Sequence, residues 1–300
     1  MSLGQRTPVS VVIPTYRRDQ VLLDTIAHLL RAAARASEIL VVDQTPRHAV
    51  GTERRLGQLD ADGSIRWVRL GRPSIPRAMN TGLARAKEEI VLFLDDDVVP
   101  DEGLVAAHAR AHEEPGVAVV AGRVVQPWEA DGAAEDEGGF RFSSQRRAWA
   151  TEFMGGNFSI KRSVALRIGG FDENFVHAAY RFEADFADRV RAAGGQILFE
   201  PAASLRHLKA AEGGTRAYGN HLRTVMPSHA VGEYYYLLRR WWLPGRLLRL
   251  VARPIAAVRT RHHLRRPWWI PVTLTAEMLA LGWAALLALR GPRYPDWSER

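Results

Sequence analysis

Short apolar runs recur at regular intervals over the first 125 positions, separated by stretches with helical spacing. Residues 9–13 read as a strand ended by Pro14, residues 39–42 as a second strand ending at Asp43, and residues 65–70 as a third. Leu22, Leu23, Ile26, Leu29 and Leu30 form one apolar helical face, with Asp19 placed to cap it. A helix through Ala78, Leu83 and Ala86 leads to the apolar run 90–94, and a helix over 103–112 leads to a strand over 117–121. This alternation predicts an α/β chain with a doubly wound, mostly parallel sheet flanked by helices.

The later pattern is looser. Residues 129–139 are acidic and rich in Gly and Ala, and read as a surface loop. A loop at 154–157 precedes a short strand and helix, and a Gly-Gly-Phe-Asp turn follows at 169–172. Residues 182–193 read as a helix stopped by Gly194 and Gly195, and strand-like segments at 197–199 and 203–208 follow it.

The run 90–94 ends in Asp95, Asp96 and Asp97. Open α/β sheets bind ligands at the carboxyl ends of their strands. Three adjacent carboxylates there repel one another unless a cation neutralises them, and a hard divalent ion such as Mg²⁺ or Mn²⁺ bridging to a phosphate meets that need. Thr15 and Tyr16 follow the first strand, Asp43 the second, and Arg77 and Asn80 precede the Asp-tipped strand. A carboxylate, an aromatic ring and an Arg at strand ends suit a nucleoside diphosphate.

Charge divides the chain. Residues 211–300 hold 14 Arg against 5 acidic residues, so the net charge of +8 belongs to this tail. Six of the nine Trp also lie there, a mixture that suits a membrane interface better than nucleic acid, for which no fold motif is present. The absence of Cys excludes a disulfide framework and a thiolate metal site. The first eight residues are polar and predict no secretory signal.

Eight segments resemble, in order, those of the family 2 glycosyltransferases, over roughly residues 8–216: VSVVIPTYRR, EILVVDQT, PRAMNTGLARA, EIVLFLDDDVVPD, GGNFSIKRSV, IGGFDENF, FEADFADRVRAAG and HLKAAEGGTR. The resemblance implies a GT-A fold over 1–216, a nucleotide-sugar donor (UDP-, dTDP- or GDP-linked), a divalent Mn²⁺ or Mg²⁺, and transfer with inversion. It places Pro14, Thr15, Tyr16, Asp43 and Arg77 at the nucleotide, Asp95, Asp97 and His207 at the metal, and Asp96 near the ribose or donor sugar. Gly155, Gly156 and Asn157 would face the donor sugar or acceptor, and Arg216 the diphosphate. The base falls on Glu183 or, two residues later, Asp185; both also suit a helix N-terminus as acids complementing the dipole. The chain departs from the family pattern in having Phe182 where an acid usually stands and Glu rather than Asp as the base. A nucleotidyltransferase, or a membrane-bound nucleotide-sugar-binding subunit without turnover, stays open as an alternative, although the first strand lacks a Gly-rich phosphate loop.

The tail, 217–300, reads as helical. Pro244 and Pro254 bracket a helix with Arg246, Arg249 and Arg253 on one face and Leu247, Leu248, Leu250 and Val251 around the rest, the pattern of a helix at a membrane surface. Residues 268–289 carry one charged side chain, Glu277, and would span about 33 Å as a helix. Attachment to the cytoplasmic face of a membrane, peripheral or by a single span, and a lipid-linked or glycan acceptor are the expectations, with a homodimer through the tail as the alternative use of these helices.

Overall fold

The computed structural model describes residues 7–32, 35–129, 141–219 and 222–298. Its first half runs β1 (Thr7–Thr15), α1 (Gln20–Arg31), β2 (Ala36–Asp43), α2 (Val50–Ala61), β3 (Arg66–Arg69), α3 (Ile75–Arg85) and β4 (Ile90–Leu94). Then come β5 (Val98–Pro100), α4 (Leu104–Ala111), β6 (Val117–Val125), β7 (Ala148–Ala150), β8 (Asn157–Lys161), α5 (Arg162–Arg167), α6 (Phe182–Ala192) and β9 (Gln196–His207). The tail holds α7 (Val231–Leu238), α8 (Arg246–Val258), α9 (Arg261–Arg265) and α10 (Ile270–Arg290). Apart from Glu129, the acidic stretch expected to loop at 129–139 lies outside the described residues.

The strands form one sheet in the order β3-β2-β1-β4-β8-β6-β9-β5, with β7 on β9. β3, β2, β1 and β4 are mutually parallel, β8 reverses, and β6 and β9 run parallel to each other. The chain winds from β1 outward to β2 and β3, then crosses to β4 on the other side of β1, so the ends of β1 and β4 form the switch point where such sheets take ligands. Alternate residues feed opposite faces. Val11, Val41 and Leu92 pack with α1, α2 and α4, whereas Val12, Leu40 and Phe93 pack with α3, α6, α7 and α10.

Several local expectations change. Asp19 makes no side-chain cap on α1; its carboxylate accepts from the Ala49 N–H at 3.1 Å, at the start of α2. α2 itself has little apolar period, burying only Thr52, Leu56 and Leu59. The two segments expected at 197–199 and 203–208 are one strand, β9, whose register against β6 shifts between Gly122 and Arg123. Pro201 falls in that bulge, where its missing N–H removes no ladder bond.

The tail shares the core of the body. Tyr234 and Tyr235 of α7 are fully buried, and the Tyr235 hydroxyl donates to Asp172 at 2.7 Å. The stretch Pro267–Arg290 is long and apolar enough to cross a membrane, with mean hydropathy 1.8. Glu277, which would be costly in lipid, instead turns inward and accepts from the Tyr234 hydroxyl at 2.8 Å.

Asn157, expected at the donor, is a bracket inside the sheet. Its amide donates to the Arg123 and Ala203 carbonyls at 2.9 Å each, and its Oδ1 lies 2.9 Å from His108 Nε2. Replacing it leaves buried polar groups unpaired, at about 1–3 kcal/mol each. Asn157→Ala should therefore lose about 3 kcal/mol or more in equilibrium urea unfolding; a loss below about 1 kcal/mol would show that water can replace the bracket.

Candidate active site

The switch point gathers side chains from distant parts of the chain. Thr15 closes β1, the three aspartates follow β4, and antiparallel pairing of β5 with β9 sets His207 opposite Val98, beside Asp97. The Thr15 hydroxyl donates to Asp96 at 2.6 Å. Arg18 lies 3.3 Å from both Asp96 and Asp97, and also donates to the Glu212 carbonyl. His207 Nε2 lies 3.1 Å from Asp97 Oδ1 and 3.9 Å from Asp95 Oδ2. Behind it, His207 Nδ1 meets Gln126 Oε1 at 3.2 Å, which orients the ring.

The electrostatics follow the partners. Burial pushes the Asp96 carboxyl up to about 7; Asp97 and Asp95 add to this, and Arg18 and Thr15 oppose it. Burial also acts on Asp97, but His207, Arg18 and the Ala210 N–H outweigh it and hold its carboxyl below the usual range. Burial works to lower His207, yet its hydrogen bond to Asp97 and the charges of Asp95 and Asp97 leave it raised. Asp95 is raised by desolvation, with the Asp97 charge adding to the effect.

Asp95, Asp97 and His207 bring one ligand atom each to within 4.8 Å of one another. Two carboxylates and an imidazole are a donor set that fits a divalent cation, and nitrogen among the ligands suits Mn²⁺ better than Mg²⁺.

A cleft opens over this cluster, lined by Pro14, Thr15, Tyr16, Gln44, Arg216 and Tyr218 among others. Arg216 reaches it from the turn Gly214–Tyr218, tied to β1 by the Gly214 N–H donating to the Tyr16 carbonyl at 2.8 Å. Opposite, the Gly155-Gly156 pair runs between Asp95 and Glu183. A Cβ on Gly156 would collide with the Asp95 carboxylate, and one on Gly155 would lie 2.8 Å from Glu183 Oε1. Glycine lets the backbone pass close to both acids, and a side chain at Gly156 would displace the Asp95 carboxylate.

Glu183 stands in the first turn of α6, and burial, with Asp95 adding, pushes its carboxyl up to about 8. Asp185, the other base candidate, is bound at 2.8 Å by Arg189, which also donates to the Ile168 and Gly170 carbonyls. Its carboxylate is engaged in holding α6 to the preceding turn.

Two expected nucleotide contacts stand back from the cleft. Asp43 is buried beneath it and accepts from the Thr45 N–H and the Trp67 indole at 2.8 and 2.9 Å, with His48 Nε2 at 2.8 Å. Arg77 is exposed in the first turn of α3 and does not line the cleft. Asn80 likewise serves the fold, exchanging hydrogen bonds with the Phe171 backbone at 2.8 Å. Arg18, Gln44, Gln126 and Tyr218 are cleft or support residues that pattern reading missed. Arg18 alone left a signal, a cation just after the first strand.

Comparison with known proteins agrees with this geometry. The model of the family described as Glycosyl transferase family 2 matches residues 10–185. The chain is 32% identical over 139 residues to a pre-mycofactocin glycosyltransferase of Mycobacterium tuberculosis, covering 43% of this chain and 29% of that protein. The chain thus spans under a third of that relative's length. Among solved structures, the mannosyltransferase PcManGT of Pyrobaculum calidifontis, in complex with GDP-Man and Mn²⁺, superposes with a TM-score of 0.56 at 23% identity, over 95% of this chain and 80% of that one. GalNAc-T7 with UDP, GalNAc and Mn²⁺ superposes with a TM-score of 0.57 at 16% identity, over 66% and 43%. The fold is GT-A, and with the family model matching more than half of its length, the chain belongs to glycosyl transferase family 2.

Proposed function

We propose that the chain is an inverting glycosyltransferase that moves a sugar from a UDP-, dTDP- or GDP-linked donor to a hydroxyl of a lipid-linked or glycan acceptor. The observation that carries this reading is the convergence of Asp95, Asp97 and His207 in one cleft, with Glu183 held across the Gly155-Gly156 pair. The two structural neighbours, which hold Mn²⁺ together with UDP or GDP-Man, support the donor class.

Thr15, Tyr16 and Arg216 line the nucleotide side of the cleft. Asp95, Asp97 and His207 would hold Mn²⁺ or Mg²⁺, which when bound supplies positive charge to the departing diphosphate. Gly155 and Gly156 let the backbone lie against both Asp95 and Glu183, and the donor sugar would sit on the Asp95 side of this pair. The acceptor oxygen attacks the anomeric carbon as the bond to the diphosphate oxygen breaks, and its proton passes to Glu183. One displacement inverts the anomeric centre. A base whose carboxyl is raised to about 8 is well matched to a hydroxyl proton near neutral pH.

Four outcomes are expected. Asp97→Ala should weaken Mn²⁺ binding, followed by electron paramagnetic resonance, by about 100-fold or more, whereas Arg77→Ala should leave it unchanged. Glu183→Gln should lower the transfer rate by about 10²–10⁴ and flatten its pH dependence, since the wild-type base is lost as pH falls through its pKa. The same substitution should stabilise the cation-free protein at pH 9. A carboxyl raised in the folded state binds protons more tightly than in the unfolded chain, so wild-type stability falls as pH rises from 4.5 to about 8. Asp185→Asn should instead cost stability through Arg189. A greater loss of turnover in folded Asp185→Asn than in Glu183→Gln would reverse the assignment of the base.

A further inference from the structure

α8 is amphipathic in the opposite sense to a helix of a water-soluble surface. Its arginines reach acids of the body: Arg246 and Arg253 turn inward to Asp188 at 2.8 Å and Glu277 at 3.4 Å, and Arg249, itself exposed, reaches Glu233 at 3.3 Å. Its apolar face points out, with Leu247, Leu248, Val251 and Ile255 between 53 and 74% exposed. No α8 residue is buried. A helix that spends its charges inward and leaves its aliphatic face bare is not solvated by either face in the usual way.

The surroundings continue the pattern. Trp241 and Trp242, before α8, and Trp268, before α10, are all more than half exposed. Met278, Leu279, Leu286 and Leu289 of α10 are exposed as well. Between the two helices, Arg259, Arg261, Arg265 and Arg266 are exposed, and the tail as a whole carries the surplus of positive charge. Bare aliphatic residues, flanking indoles and free guanidinium groups match the acyl, interfacial and headgroup levels of an anionic bilayer.

α10 is bonded to the body both along its first half and just past its end. Two turns into it, Glu277 is bonded to Tyr234 of α7. Just past its end the Gly291 carbonyl accepts from Asn174 at 2.7 Å, and the Arg293 N–H donates to Asp172 at 2.9 Å. A span would have to break one of these two attachments to the catalytic body.

We infer that the tail docks the chain onto an anionic lipid surface, with the Leu247–Leu248–Val251–Ile255 face of α8 entering the acyl layer in plane and neither α8 nor α10 crossing it. Docking of this kind does not depend on the glycosyl-transfer reading.

The test is flotation of the full chain with phosphatidylcholine vesicles, with and without phosphatidylglycerol, for the wild type and a Leu248→Glu/Val251→Glu variant. The wild type should float with the anionic vesicles, and the variant should partition at least about tenfold less. Its circular dichroism should be unchanged, because both side chains are exposed in the protein. Arg261→Glu/Arg265→Glu should weaken flotation with anionic vesicles and leave the small affinity for neutral ones. Membrane-bound protein should be released by alkaline carbonate. Flotation equal in wild type and the Leu248→Glu/Val251→Glu variant would overturn the inference. So would a wild-type dimer, measured by light scattering, that this variant converts to a monomer. Resistance to carbonate extraction would overturn the in-plane geometry.

Discussion

Negative charge concentrated at the end of β4 is the constraint around which the rest is arranged. Three adjacent carboxylates in a partly desolvated cleft cannot all be ionised without compensation. The protein compensates with groups drawn from far apart: Thr15 after β1, Arg18 ahead of α1, His207 at the end of β9, and the Ala210 N–H beyond it. Each of these contacts closes a long loop of chain, and the strand order of the sheet is what brings their ends together. The cluster then holds the ends of β1, β4 and β9 together, and the cleft is the space above them.

The same logic explains the division of acids along the cleft. Asp97 is the best-partnered carboxylate and the one held lowest, whereas Asp96 and Glu183 are raised by burial. The low-lying Asp97 suits a cation as it stands, Asp95, raised by desolvation, calls for the cation's charge to ionise it, and the raised Glu183 suits a proton. Gly155 and Gly156 run between Asp95, at the cleft, and Glu183, behind them, with no side chain of their own in between. The tail serves this arrangement at a distance. α7 and α10 fill the same core as α6, so the helix that carries Glu183 rests on the tail.

Much of the fold was legible because buried parallel strands and amphipathic helices leave strong periods. β1, β2, β4 and α1 are of that kind. The aspartate run was legible because three acids after so apolar a strand need a reason. What stayed hidden depends on partners remote in sequence. Asp43 has the form of a strand-end ligand, but Trp67 and His48 fold over it. Asn157 sits in a glycine loop yet turns into the sheet, where His108 and two carbonyls meet it. Glu183 and Asp185 are indistinguishable as sequence, and only Arg189, captured by the 168–170 turn, separates them. Helical period shows that α8 has two faces; Asp188, Glu233 and Glu277 decide which one turns inward.

The measurement that bears most directly on the central claim is release of nucleoside diphosphate from a panel of UDP-, dTDP- and GDP-linked sugars by the full chain with Mn²⁺, repeated after chelation and with His207→Ala. One donor class should release its diphosphate, chelation should stop the release, and His207→Ala should reduce it. Absence of both release and binding for every donor would contradict the claim, as would release that persists undiminished without a divalent cation.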